Sequence, residues 1–215
     1  MMADLTLYTY WRSTAAYRVR IALNLKGLNA AMVPVNLLAA EQQAEPFGDI
    51  NPQRMVPVLQ VGDQRLTQSL AILEYLDEAY PAPPLLPSNA LQAARVRAIA
   101  QAIACDVHPL NVPRVMNYLT LQFGVSEEQK TVWMHHWIKE GMAALEALLE
   151  NSAAHGFCVG ETATIADCCL VPQVYNARRF KVDMEAFPVI RRINEHCLSL
   201  KAFREAAPDA QIDAV

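Results

Sequence analysis

The pair Ser13-Thr14 sets two hydroxyls between a strand-like run, Leu5 to Tyr10, and a helix-like run that opens at Ala15. A hydroxyl at the amino end of a helix can donate a hydrogen bond to an anion or a thiolate, and the aligned backbone amides favour negative charge there. The same hydroxyls also serve as plain helix caps. A redox fold would place its reactive cysteine at this turn, yet position 15 is Ala15. Any nucleophile acting here is therefore expected to be imported.

Other reactive types read as structural. Cys105-x-x-His108 has half the spacing of a metal site, but no second ligand pair follows at suitable spacing, and the adjacent His135 and His136 point to different helix faces. No metal is expected. Cys168-Cys169 lies in an apolar helical run and reads as core rather than as a redox centre. Trp133 and Trp137, four residues apart, read as ordinary helix packing, and Arg18 and Arg20 as structural residues of the first helix. Thr164-x-x-Asp167 has the spacing of a capping box with Asp in place of Glu or Gln, so its expected role is to satisfy amide donors at a buried helix start.

The elements that must hold these residues fall into two groups. Leu5 to Tyr10 alternates as a strand does, Thr14 to Lys26 carries apolar residues at helical spacing with Gly27 as its stop, and a second apolar run covers Ala31 to Leu37. Strand, helix, strand implies two parallel strands joined by a right-handed crossover. Val56 to Val61 and Gln64 to Thr67 flank Gly62-Asp63, a short hairpin signal, and Ser69 opens a helix striped by Leu70, Leu73, Leu76 and Tyr80. A βαβ unit followed by ββα, with Pro57 at the start of the third strand, is the pattern of a thioredoxin-like domain. The segment Pro81 to Pro87 (PAPPLLP) cannot continue a helix and reads as a stiff linker. Beyond it, Leu91 to Phe123, Ser126 to Asn151, Thr164 to Phe180 and Phe187 to Ala207 all show helical spacing. The expected architecture is an α/β thioredoxin-like domain over residues 1–84 and an all-α domain over 85–215.

The 215 residues are 53% hydrophobic and 19% charged, enough for one large core or two modest ones. A net charge of −4 offers no general field for nucleic acid or anionic lipid, so neither is an expected partner. No apolar run approaches the roughly 18 residues of a membrane helix, and the beginning, MMADLTLYTYW, has no basic region followed by a long apolar one. Five cysteines without a C-x-x-C pair argue against a disulfide scaffold and for a reducing cytoplasm.

Ser13 to Gly27 (STAAYRVRIALNLKG) resembles the zeta-class glutathione transferase motif S-S-C-x-x-R-V-R-I-A-L-x-L-K-G and departs from it at Thr14 and Ala15 only. Asn51-Pro52, Val56-Pro57, Gln68-Ser69-Leu70-Ala71-Ile72, Leu85-Leu86-Pro87, Cys158-Val159-Gly160, Ala166-Asp167, Leu170-Val171-Pro172-Gln173-Val174 and Asn176-Ala177-x-Arg179-Phe180 continue the match. The chain resembles the maleylacetoacetate isomerase family, and Cys105 to Asn111 (CDVHPLN) is similar to its bacterial branch, which includes maleylpyruvate isomerases.

That resemblance implies the cytosolic glutathione transferase fold, a homodimer, and glutathione as cofactor. Ser13 would polarise the glutathione thiol, with Thr14 as a second donor. Gln68 and Ser69 would hold the γ-glutamyl carboxylate, the backbone of Val56 before a cis Pro57 the cysteinyl part, and Gln43 and His108 would add contacts. A substrate with two carboxylates calls for guanidinium forks, for which Arg12, Arg114 and Arg179 are the candidates. Each also suits a surface ion pair. The expected activity is glutathione-dependent cis-trans isomerisation of maleylacetoacetate. Maleylpyruvate isomerisation or general glutathione transfer is the alternative, and a non-catalytic binding module the reading of a different class. Ala15 in place of the family cysteine implies weak thiol-transfer chemistry.

Overall fold

The computed structural model describes residues 4–150 and 156–214. These form two compact units, Met1–Leu85 together with Leu198–Val215, and Leu86–Cys197. Residues 198–215, read from sequence as part of the helical domain, thus pack with the first unit.

In the first unit, strand β1 (Leu5–Thr9) buries alternate residues, as the two-residue period of a strand requires. Helix α1 (Thr14–Leu25) crosses over to β2 (Ala31–Pro34), which pairs parallel with β1 from Thr6↔Ala31 to Thr9↔Pro34. A short helix, α2 (Glu45–Ile50), follows; six residues carry too little periodicity to be read in advance. Strand β3 (Val58–Val61) pairs antiparallel with β1, and β4 (Gln64–Thr67) antiparallel with β3, giving the order β2-β1-β3-β4. Helix α3 (Ser69–Ala79) packs on α1. This is the thioredoxin-like arrangement, and the Val56-Pro57 bond at the head of β3 is cis.

Leu7, Leu59, Ile72, Leu73 and Leu76 are fully buried, each adding about 1.5–3 kcal/mol of apolar burial. A buried lysine closes the other end of the unit. Lys26 Nζ donates to Asp77 Oδ1 at 2.6 Å and to the carbonyls of Tyr80 at 2.7 Å and Pro83 at 2.6 Å. Asp77 Oδ1 also accepts the Leu85 N–H at 2.6 Å. The proline-rich stretch, read from sequence as a stiff linker, is thus pinned to the first unit up to Leu85. Helix α9 (Lys201–Ala206) lies on α1, where Tyr17 Oη donates to the Phe203 carbonyl and Asn24 Nδ2 to that of Ala202.

In the second unit the run Leu91–Phe123 is not one helix. It begins as α4 (Ala90–Gln101), loosens to a π-helical segment at Ala102–Val107, tightens to a 3-10 turn at His108–Asn111, and resumes as α5 (Pro113–Phe123). Pro109 and Pro113 each lack an amide proton, so a regular ladder cannot run through them. Helix α6 (Glu127–Leu149) follows, started by a Ser126–Gln129 capping box; the expected end at Asn151 lies outside the described residues. It approaches the π segment closely, since a Cβ on Gly141 would stand 2.1 Å from Val107 Cγ2. Helix α7 (Ile165–Arg179) is almost wholly buried, and α8 (Pro188–Ser199) completes the unit.

Asp167, fully buried in the first turn of α7, gathers the donors around it. Its Oδ2 accepts the Thr164 N–H and hydroxyl, each at 2.8 Å, while Oδ1 accepts the Cys158 N–H at 2.8 Å and the Cys197 thiol at 3.9 Å. Burial pushes its carboxyl up from the ordinary range, and the Cys158 and Thr164 donors oppose that rise. The expected folding role of the Thr164–Asp167 box agrees with these contacts. Replacing Asp167 by Ala leaves several buried donors unanswered, so Asp167→Ala is expected to lose about 3–5 kcal/mol of stability in chemical denaturation; a loss under about 1 kcal/mol would contradict this assignment.

Candidate active site

The register of the sheet assembles one end of it. Tyr8 pairs with Val58, and Val58 with Thr67. Beyond that row the chain leaves β1 toward Ser13, enters β3 from Val56-Pro57, and leaves β4 toward Gln68-Ser69. Pro34 pairs with Thr9, so the loop after β2, which leads to Gln43, departs from the same end. Under these turns Tyr10, Trp11, Val35, Phe47, Val56 and Val58 form a hydrophobic cluster.

Ser13 is the N-cap of α1: its Oγ accepts the Ala16 N–H at 3.2 Å, and its own N–H donates to the Tyr10 carbonyl at 2.9 Å. Capping uses an oxygen lone pair and leaves the O–H as a donor. Cap and thiol donor, alternatives in sequence, are thus compatible in one side chain. Thr14 is buried at the first helical position, and Ala15 half-buried beside it.

Ser69 is buried at the start of α3, where its Oγ accepts from Arg18 Nη1 at 3.0 Å. Arg18 was read as structural; it is buried and ties α1 to a site residue. Gln68 takes φ +67°, a left-handed conformation for a residue with a side chain, and its Nε2 donates to Gln53 Oε1 at 2.9 Å. Backbone of this kind costs about 1–3 kcal/mol and gathers at ligand sites. Gln43 is exposed, and its carbonyl accepts from Arg54. Arg12 is half-buried with its guanidinium 4.9 Å from the Trp11 ring centroid. Arg18 stood in the matched motif, but its bond to Ser69 and that of Gln53 to Gln68 had no signal in the sequence, because which face of a motif is buried is decided by packing.

The second unit holds the remaining candidates. His108 is half-buried at the head of the 3-10 turn, directly after the π segment. Irregular turns of this kind recur at functional sites. Asn111 Nδ2 returns to the Val107 carbonyl at 3.0 Å, and Trp133 Nε1 donates to the Leu110 carbonyl at 2.8 Å, so α6 holds the turn in place. Trp133 and Trp137 do stack edge to face, 5.8 Å apart, but both are half-buried, and Trp133 does more than fill space. Arg114 is exposed in the first turn of α5, and Arg179 is exposed at the end of α7 with its guanidinium 4.9 Å from the Phe180 ring.

Four of the five cysteines are buried and offer no accessible nucleophile. Cys158, Cys168, Cys169 and Cys197 are buried and Cys105 is exposed, all as free thiols. Burial pushes the thiols of Cys158, Cys168 and Cys197 up, with Asp167 adding to the effect, so they stay protonated at neutral pH.

Residues 3–78 match the family model described as glutathione S-transferase, N-terminal domain. The chain is 47% identical over 215 residues to a protein of Vibrio cholerae named probable maleylacetoacetate isomerase, covering 99% of this chain and 100% of that one. A holo structure of a maleylpyruvate isomerase, described as a bacterial zeta-class glutathione S-transferase, superposes with a TM-score of 0.95 at 46% identity, covering 98% of this chain and 100% of the other. A maleylacetoacetate isomerase of Methylobacterium extorquens AM1, solved with malonate and glutathione, superposes with a TM-score of 0.94 at 42% identity, covering 98% and 99%. With motif, fold and full-length similarity in agreement, the chain belongs to the zeta-class glutathione transferase, or maleylacetoacetate isomerase, family.

Proposed function

We propose that the chain is a glutathione-dependent cis-trans isomerase that converts maleylacetoacetate to fumarylacetoacetate, a step of tyrosine and phenylalanine breakdown. The observation that carries this reading is the turn at Ser13. A hydroxyl stands at the amino end of α1, at the same end of the sheet as the cis Val56-Pro57 bond and Ser69, with alanine where a resident nucleophile would sit.

The donor set fits glutathione. Ser69 at the amino end of α3, held by Arg18, suits the γ-glutamyl carboxylate, with Gln68 beside it. The Val56 backbone at the cis bond suits the cysteinyl part of the peptide, and Gln43 and His108 are further contacts in this reading. Bound glutathione supplies a soft, easily expelled thiolate whose addition makes the cis double bond single for long enough to rotate. A free thiol has a pKa of about 8.5 and is only a few per cent ionised at neutral pH. Ser13, with Thr14 as second donor, lowers that value by donating to sulfur at a helix end, which stabilises the anion without adding a full charge. Arg12, Arg114 and Arg179 take the substrate carboxylates through charge-assisted bonds. The malonate held by the Methylobacterium relative supports a dicarboxylate substrate.

Maleylpyruvate is the second reading of the substrate, favoured by the 0.95 TM-score against the maleylpyruvate isomerase. A homodimer in the cytoplasm completes the proposal. Exposed Leu91, Tyr118, Leu121 and Phe123 on α4 and α5 offer apolar surface for a second copy, and no described helix is long and apolar enough to cross a membrane.

Side-by-side assays of maleylacetoacetate and maleylpyruvate, with and without glutathione, test the reading. Activity is expected only with glutathione, and turnover in its absence would refute the mechanism. Ser13→Ala is expected to lower kcat/KM about 100-fold, and full activity in that variant would remove Ser13 from the catalytic role. Arg179→Ala is expected to raise the substrate KM about 10- to 100-fold while the glutathione KM holds; an unchanged substrate KM would return Arg179 to the surface. Sedimentation at micromolar concentration is expected to show a dimer, and a monomer would reject that part of the proposal.

A further inference from the structure

Asp213 carries no role in any motif of the chain, yet it touches the backbone that delivers Ser13. Its Oδ2 accepts the Trp11 N–H at 2.9 Å. The Trp11 carbonyl in turn accepts from Arg20 Nη2 at 2.9 Å. Tyr10, one residue earlier, gives its carbonyl to Arg20 Nη1 at 3.3 Å and to the Ser13 N–H at 2.9 Å. The residue two before Ser13 is thus gripped on its N–H by a carboxylate and on its C=O by a guanidinium.

Packing holds the side chains of this loop, since Tyr10 and Trp11 are buried in the cluster with Val35, Phe47, Val56 and Val58. A cavity of about 270 Å3 lies against it, lined by Tyr10, Trp11, Pro34, Asn36, Glu41 and Asp213 among others. The Asp213 contact with the Trp11 N–H holds the backbone of the loop on the side of this cavity. The segment that presents Asp213 is itself anchored on α1, through Arg20 Nε on the Ala206 carbonyl at 3.0 Å and Tyr17 Oη on the Phe203 carbonyl at 3.2 Å. Helix α1 is the same helix that Ser13 caps, so Asp213, Arg20 and Ser13 share one rigid frame.

We infer that Asp213 is a positioning residue for the reaction, holding the Tyr10–Ser13 turn so that the Ser13 hydroxyl meets the glutathione sulfur at hydrogen-bonding geometry. This rests on the role of Ser13 proposed above. Hydrogen bonds weaken steeply with distance and angle, so a turn released at Trp11 stabilises the thiolate less even with Ser13 in place.

The test uses the full-length wild type, Asp213→Ala, Asp213→Asn and Ser13→Ala, each saturated with glutathione, and follows the ultraviolet absorbance of the bound thiolate against pH. Asp213→Ala is expected to reduce the thiolate fraction at neutral pH about tenfold. Asp213→Asn, whose amide oxygen still accepts from Trp11, is expected to restore most of it, an outcome that a general loss of stability would not produce. An unchanged thiolate in Asp213→Ala beside a reduced one in Ser13→Ala overturns the inference and spares the role of Ser13. An unchanged thiolate in Ser13→Ala overturns both. Amide hydrogen exchange at Trp11 in the wild type gives a readout that needs no variant: slow exchange is expected, and exchange at the rate of an unbonded amide overturns the clamp.

Discussion

The buried guanidinium of Arg20 is the constraint on which the first unit turns. It donates to Thr9 Oγ1 at 3.1 Å and to the carbonyls of Tyr10, Trp11 and Ala206, and it lies 5.4 Å from the Tyr17 ring centroid. Burying a cation costs several kcal/mol unless its donors are met, and here a hydroxyl on β1, two carbonyls of the turn after it and one at the close of α9 meet them. The end of β1, the turn that follows it and the close of α9 are therefore fixed by one side chain on α1. Loosening any of the three would strand a charged donor in the interior, so the turn that bears Ser13 is held by the energetics of the core.

The second unit solves a comparable problem with a carboxylate. Asp167 draws together Thr164, Cys158 and Cys197, which come from the approach to α7, an earlier loop and α8. Helix α7 neighbours the irregular stretch between α4 and α5. There the π segment and the 3-10 turn carrying His108 are held from α6, by the indole of Trp133 and by the close approach at Gly141.

An imported nucleophile also explains the chemistry the chain leaves out. A resident cysteine at position 15 could attack a disulfide and expel one of its thiolates, whereas Ala15 cannot. The thiols of Cys158, Cys168 and Cys197 are buried and pushed toward their protonated form, which keeps them out of the same exchange. What remains at the sheet end is a set of donors: hydroxyls, helix ends and backbone.

The order of elements, the parallel β1–β2 pair, the hairpin at Gly62-Asp63 and the helical character of everything after the prolines were legible in the sequence, because each rests on a local period or a turn residue. That Ser13, Gln68 and Ser69 sit where strands meet helices was legible as well, whereas Val56 was singled out only through the family motif. The form of the break in the Leu91–Phe123 run was not legible, because Pro109 and Pro113 mark where a regular ladder fails while apolar spacing does not say which π and 3-10 turns replace it. Nor was the return of residues 198–215 to the first unit, which depends on which buried donors and acceptors meet across the fold. Arg18 on Ser69, Gln53 on Gln68 and Asp213 on Trp11 join residues 51, 15 and 202 positions apart. The sequence by itself determined the elements and the residue types that end them. The tertiary structure decided which of those residues hold one another, since a hydrogen bond across such separations exists only once the chain has closed and brought its partners within reach.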